Sequence, residues 1–241
     1  MRLVKLDAID STNNYLKELI RRDETENFTI ISAEEQTNGR GQMGSVWNSE
    51  KGKNVIMSVL VKDFLSDASE VFNLNMAFSL AVLSVLKKHQ IPDLSVKWPN
   101  DIMSGNKKVG GILIENAFKS ECEIQSVIGL GLNVNQSDFD HLPQASSLYL
   151  VSGRIFDKDI LILEIANQLK VNLEYWSVKH EQFRTNYVAS LFKLNKIMKF
   201  KRADESIFEG YVVGIDSAGK LLLNYGQVIS AFDIKEVQMI Y

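Results

Sequence analysis

Val96-Lys97-Trp98-Pro99-Asn100-Asp101-Ile102, followed by Lys107-Lys108-Val109-Gly110-Gly111-Ile112-Leu113-Ile114-Glu115, is the stretch on which the fold turns. Ser95 to Trp98 reads as a strand that meets Pro99, a residue suited to a turn. Ser104-Gly105-Asn106 makes a second turn, and Val109 to Glu115 is the returning strand. On packing grounds alone, Lys97 is a strand-end charge and Pro99 a turn residue.

The chain on either side of this stretch alternates helix and strand. Asp10 or Ser11 caps a helix that carries Tyr15, Leu16, Leu19 and Ile20 on one face. Phe28 to Ser32 reads as a strand, a glycine-rich stretch runs from Gln36 to Gly44, and Asn54 to Lys62 reads as a buried strand. Residues 67–89 are apolar on most sides of a helix, which predicts a buried one ended by Pro92. Glu121 to Val134 reads as a long strand, followed by helices over 157–176 and 181–192. Beyond Leu194, short alternating segments and turns at Asp216-Ser217-Ala218-Gly219 and Asn224-Tyr225-Gly226 predict a small β-barrel. The expected division is an α+β unit over 1–193 and a small β-barrel domain over 194–241.

Composition narrows the function. The 241 residues hold 27 Lys+Arg against 30 Asp+Glu, a net charge of −3, which gives no electrostatic footprint for nucleic acid. No continuous apolar run approaches the ~20 residues a membrane span requires. The N-terminal Met-Arg-Leu-Val-Lys-Leu-Asp lacks the form of a signal peptide, and the single cysteine, Cys122, excludes an intrachain disulfide. The chain therefore reads as cytoplasmic, with no membrane or nucleic-acid partner.

Several familiar motifs fail on context. Gly39 to Gly44 fits G-x-G-x-x-G, but no helix opens at the third glycine, which argues against a dinucleotide fold. Gly105 to Gly110 has Gly111 where a P-loop needs lysine. His89, His141 and His180 are widely spaced and lack metal-ligand partners, so the metal ligands stay unassigned. Glu121 and Glu123 flank Cys122 and disfavour its thiolate.

Three polar segments are left over: Asp10 to Asn14, Glu35 to Trp47, and Lys97 to Glu115. Together they suit an anion. Successive glycines allow backbone N–H groups to converge on a phosphate, Arg40 offers a planar fork, and Lys97 a compact charge. Trp47 can stack on a base or cover the site. With no nucleophile or general base in view, the chemistry suggested is positioning and charge neutralisation.

These residues resemble the biotin protein ligases. Four blocks match in order: DSTNNYL from Asp10, EEQTNGRGQMGSVWNSEKG from Glu34, KWPNDI with KKVGGILIE from Lys97 to Glu115, and IGLGLNVN from Ile128. The resemblance implies a mixed-sheet catalytic core of the biotin/lipoate ligase type with helices on one side, plus the small C-terminal barrel. It also implies biotinyl-5'-AMP formation from biotin and MgATP, then transfer of biotin to a lysine of a biotin carboxyl carrier protein. Carried over, Ser11, Thr12, Asn13 and Gln36 hold the biotin head group, while Arg40, Gly41 and Gln42 close over the adenylate. Lys97 bridges the biotin carboxylate and α-phosphate, and Arg40 shares the catalytic role. Gly110 and Gly111 belong to the biotin side; Gly39, Gly44, Trp47, Asn100, Lys108 and Asn133 belong to the ATP side. Mg2+ is expected with ATP, and the resemblance is compatible with a homodimer.

Where the family often carries further arginines in the glycine loop, this chain has Gln42, Met43 and Ser45. It lacks the terminal arginine of some members, and the few residues before Asp10 lead us to expect no DNA-binding domain. The basic run Lys193, Lys196, Lys199, Lys201 and Arg202 is a candidate surface for an acidic carrier. A lipoate or octanoate ligase and a non-catalytic biotin sensor are the alternatives.

Overall fold

The computed structural model describes residues 1–241 except 23, 66, 68, 69, 121, 122, 140 and 141, so Cys122, its neighbour Glu121, and His141 lie outside the described residues. Seven strands form the main sheet: β1 (Arg2–Ile9), β2 (Thr29–Gln36), β3 (Val55–Lys62), β4 (Leu94–Lys97), β5 (Asp101–Ser104), β6 (Lys107–Ser120) and β7 (Glu123–Leu132). Their order is β1-β2-β3-β7-β6-β5-β4; β1 runs parallel to β2, and the other pairs are antiparallel.

β3 shows how the sequence makes two faces. Its odd positions, Val55, Met57, Val59 and Val61, enter the large apolar core, while Leu60 belongs to a separate cluster on the other face. The large core is roofed by α2 (Val71–Lys88), α4 (Lys158–Glu174) and α5 (Trp176–Ala189), the long helices on one side that the resemblance implied. α2 is the one described helix long and apolar enough to cross a bilayer, and it is the buried core helix, with Phe78, Ala81, Val82 and Val85 fully covered. α5 starts five residues earlier than expected because Trp176 packs on Phe64 and Phe183; the helix kinks at Lys179. A short α3 (Leu148–Ser152), capped by Ser147, had no counterpart in the sequence reading.

α1 (Thr12–Arg22) lies on the opposite face. Leu16, fully buried, meets Ile31, Leu60 and Val127, and this contact seats the helix's first turn against the sheet. Replacing Leu16 with Ala is expected to destabilise the fold by roughly 2–5 kcal/mol. Urea unfolding measures this; a loss under about 1 kcal/mol would deny that Leu16 anchors α1.

A second sheet follows in β8 (Met198–Arg202), β9 (Ile207–Ile215), β10 (Leu221–Tyr225), β11 (Val228–Phe232) and β12 (Val237–Ile240), antiparallel in the order β11-β10-β9-β8-β12. This is the small C-terminal β unit expected from the turn spacing. Phe200, Val212, Leu223 and Phe232 fill it, and its apolar residues are continuous with the main core through Tyr187 and Leu191. Trp98 Nε1 donates to Gly219 O at 2.8 Å, tying the β4–β5 turn to the small sheet.

Candidate active site

Register places the functional residues in rows. Ile56, Gly131, Gly111, Asp101 and Lys97 lie directly opposite one another across β3, β7, β6, β5 and β4, and so share a face. The next row is Ser58, Gly129 and Leu113; the third is Leu60, Val127 and Glu115. On this face, between α1 and the glycine loop, is a cavity of about 320 Å³.

One end is polar and closely packed. Thr12 donates to Gln36 Oε1 from its backbone N (2.8 Å) and its hydroxyl (3.1 Å). Ser58 donates to Asn13 Oδ1 at 2.5 Å and lies 2.7 Å from Thr12 Oγ1. Ser11, Thr12 and Asn13 are buried although polar; these bonds satisfy Thr12 and Asn13, and Ser11 Oγ accepts from Asn14 N at 3.5 Å. Gly129 has no side chain because a Cβ there would stand 2.6 Å from Asn13 Oδ1.

The glycine loop is a flap. Trp47 N donates to Gly39 O (2.9 Å) and Gly41 N to Ser45 O (2.7 Å), around a turn with Met43 at φ 58° and Gly44 at φ 83°. In this arrangement the Gly41 amide has its acceptor within the hairpin. The flap lays Trp47 flat on the sheet, where a Cβ on Gly131 would come 2.3 Å from Trp47 Cε2. Trp47 Nε1 is buried without a hydrogen-bond partner.

At the cationic end Lys97 and Lys108 face different hollows. Lys97 lies on the cavity face but two strands beyond Gly111, roughly 10 Å away at ordinary strand spacing. It lines a neighbouring hollow of about 180 Å³ between the sheets, with its Nζ 3.8 Å from Asp101 and 4.7 Å from the centre of the Tyr241 ring. Lys108 lines the main cavity instead, 2.6 Å from Asp101 and 5.6 Å from the Trp47 ring centre. The cause is a bulge: Ile102 pairs with Gly110 but Met103 with Lys108, leaving Val109 as the extra residue. That residue turns Lys108 onto the cavity face, to which simple alternation from Gly111 would not bring it.

The cavity wall includes Ser11, Thr12, Asn13, Gln36, Arg40, Gly41, Gln42, Trp47, Asn100, Lys108 and Gly111. Gly39, Gly44, Gly110, Asn133 and Lys97 are outside it. Gly39 and Gly110 make close backbone approaches, to Trp47 O and Gly131 O. Asn133 is buried behind the wall, where its Nδ2 donates to Ser146 O at 3.0 Å. Asn100 Nδ2 donates to Ile112 O at 2.6 Å, which fixes the β4–β5 turn beside β6. Of the basic run, Lys201 pairs with Glu205 at 2.9 Å and Arg202 stacks on Phe208, so these two already have partners in the small sheet.

Glu115 is a site residue to which the sequence reading gave no role. Its carboxylate accepts from Asn13 Nδ2 (2.8 Å), Lys17 Nζ (2.8 Å) and Arg40 (3.2 Å). Burial pushes its pKa up, but the hydrogen bonds from Lys17 and Asn13 and the charges of Lys17 and Arg40 outweigh this and hold it below the ordinary value. A depressed folded pKa stabilises the fold above the unfolded pKa, and that contribution is lost as pH falls through the folded value. The Tm gap between the native chain and Glu115→Gln is therefore expected to narrow once pH drops below about 4.5. A gap constant from pH 7 to pH 3, roughly the span that brackets the titration, would contradict the assignment.

Residues 6–133 match the Biotin/lipoate A/B protein ligase family. The chain is 30% identical over 240 residues to the bifunctional ligase/repressor BirA of Salmonella typhimurium, covering 97% of this chain and 73% of that protein. It is 28% identical over 239 residues to the biotin–[acetyl-CoA-carboxylase] ligase of Mycobacterium tuberculosis, covering 95% and 88%. Its fold is similar to that of Aquifex aeolicus biotin protein ligase in complex with biotin and ATP, with a TM-score of 0.81, 26% identity, and 99% and 98% of the two chains covered. The chain belongs to the biotin/lipoate A/B protein ligase family and is, within it, a biotin protein ligase.

Proposed function

We propose that this enzyme joins biotin to ATP as biotinyl-5'-AMP, then transfers biotin to a lysine of a biotin carboxyl carrier protein. The observation that carries the reading is the polarity of the cavity. A polar pocket at α1 suits a ureido head group, and Lys108 supplies positive charge elsewhere in the cavity wall. A solved relative from Aquifex aeolicus was captured with biotin and ATP together, which supports both as substrates here.

In the first step a biotin carboxylate oxygen attacks the α-phosphorus, an O–P bond forms, and the bond to the β-phosphate oxygen breaks to release pyrophosphate. Two anions must meet, so the barrier is largely electrostatic and a fixed cation lowers it. We assign that cation to Lys108 rather than Lys97, because Lys108 lines the cavity. The Trp47 indole, laid over Gly131, covers the centre from water. In the second step a neutral carrier lysine attacks the acyl carbon, the C–O bond to phosphate breaks, and AMP leaves; the proton goes to solvent.

Mg2+ would arrive on the phosphate oxygens of ATP. Asp101, which lines the cavity, is ion-paired to Lys108, and Glu115, outside the lining, to Lys17 and Arg40; both suit a charge-balancing role more than a metal cage. Among the described residues no group of three or more His, Cys, Asp or Glu converges.

The test is incubation with an isolated biotin carboxyl carrier domain, biotin and MgATP, followed by intact-mass measurement. One biotin per carrier, lost when its target lysine is replaced, is the expected result. An unmodified carrier in the presence of accumulating adenylate would remove the transfer step.

A further inference from the structure

Glu115 joins three elements that are remote in sequence. Asn13 and Lys17, one turn apart on α1, reach it from one side, and Arg40 reaches it from the root of the flap. Each carboxylate oxygen has two donors: Lys17 and Arg40 on Oε1, Asn13 and Arg40 on Oε2. The same Arg40 nitrogen also donates to Asn14 Oδ1 at 2.5 Å, so the guanidinium is held against α1 while residues 41–47 extend over the cavity. Asn13 in turn is fixed by Glu115 on its amide nitrogen and Ser58 on its oxygen. One carboxylate therefore sets both the amide that walls the head pocket and the arginine that anchors the flap.

We propose that Glu115 is a positioning residue that latches the Gly39–Trp47 flap shut through Arg40, and so controls how long the acyl-adenylate is retained. This rests on the adenylation reading for what is retained, but the latch is a property of the protein without ligand. The ion pair is half-buried, with one guanidinium nitrogen 3.2 Å from both carboxylate oxygens and side-chain exposures of 37% for Arg40 and 25% for Glu115. A charge-assisted contact in such a place corresponds to about a tenfold change in the open fraction of the flap. The glutamine variant keeps the shape and one acceptor oxygen, and replaces the charge and the other oxygen with an amide donor, which weakens the hold on Arg40.

Two readouts test it. Brief trypsin treatment of the ligand-free protein, followed by mass spectrometry, reports cleavage after Arg40; Glu115→Gln is expected to raise that rate about tenfold. Release of preformed adenylate, followed by rapid filtration, is expected to quicken by a similar factor. Lys17→Met removes the other cation from Glu115 but leaves Arg40, and is expected to leave cleavage after Arg40 near the native rate. Equal rises in Glu115→Gln and Lys17→Met would mean that Glu115 merely ties α1 to the sheet, and would overturn the latch. Unchanged cleavage in Glu115→Gln would overturn it too, whatever the chemistry. Failure of the native protein to form an adenylate would instead strike the adenylation reading and leave the proteolysis result standing.

Discussion

Lys108→Ala is expected to lower kcat for biotin adenylation by about 10²–10³-fold, the usual loss when one fixed charge partner of a transition state is removed. Its Nζ is poised within the cavity, held at 2.6 Å by Asp101, so little reorganisation is needed to meet the developing charge. Binding of biotin itself should change far less, because the head pocket of Thr12, Asn13 and Gln36 lies on other elements. Lys97→Ala supplies the contrast. Lys97 stacks on Tyr241 and is 3.8 Å from Asp101, so its removal acts through Asp101 and should cost no more than about tenfold. Steady-state pyrophosphate exchange on the two variants decides between them. If Lys97→Ala were the more damaging, the bridging charge would return to Lys97 and the bulge at Val109 would lose its functional meaning.

Gly129→Ala should weaken biotin binding by about 10–100-fold, because overpacking a site that cannot yield costs roughly 1–3 kcal/mol. The new methyl would lie 2.6 Å from Asn13 Oδ1, and Asn13 cannot step aside without losing Ser58 or Glu115. Gly131→Ala meets a different neighbour, the face of Trp47, and should lift the indole from the sheet. Its expected signature is a red-shifted, more quenchable tryptophan emission and a raised KM for ATP, with biotin affinity altered less. Titration calorimetry with biotin separates the two. Equal losses of biotin affinity in both variants would contradict the division of the cavity into a head-group end and a Trp47 end.

The strands whose pattern was regular were legible in the sequence. β3 and α2 announced themselves as buried because nearly every side chain is apolar, and α1 by the spacing of Leu16, Leu19 and Ile20. β1 was missed since it is an edge strand with much of its surface in water, and its sequence RLVKLDAI shows no clean alternation. β5 escaped because four residues between two turns read as part of the turn. The site was legible as a set of polar segments, but its electrostatics were not. Lys108 owes its direction to one extra residue on β6, a register fact invisible along a single chain. Glu115 draws its partners from positions 13, 17 and 40, so only the folded sheet brings them to one carboxylate. Asn133 shows the reverse case: the motif placed it at the site, yet its side chain is engaged by Ser146 O behind the wall.

ATP–pyrophosphate exchange, run with biotin, with lipoate and with no added acid, is the most direct test of the central claim. Exchange that depends on biotin, and is absent with lipoate or without acid, is the result expected of a cavity with a polar pocket at α1 and Lys108 in its wall. Exchange supported by lipoate instead would contradict the biotin reading. Absence of exchange with either acid, alongside measurable biotin binding, would contradict adenylation and leave Lys108 without its assigned role.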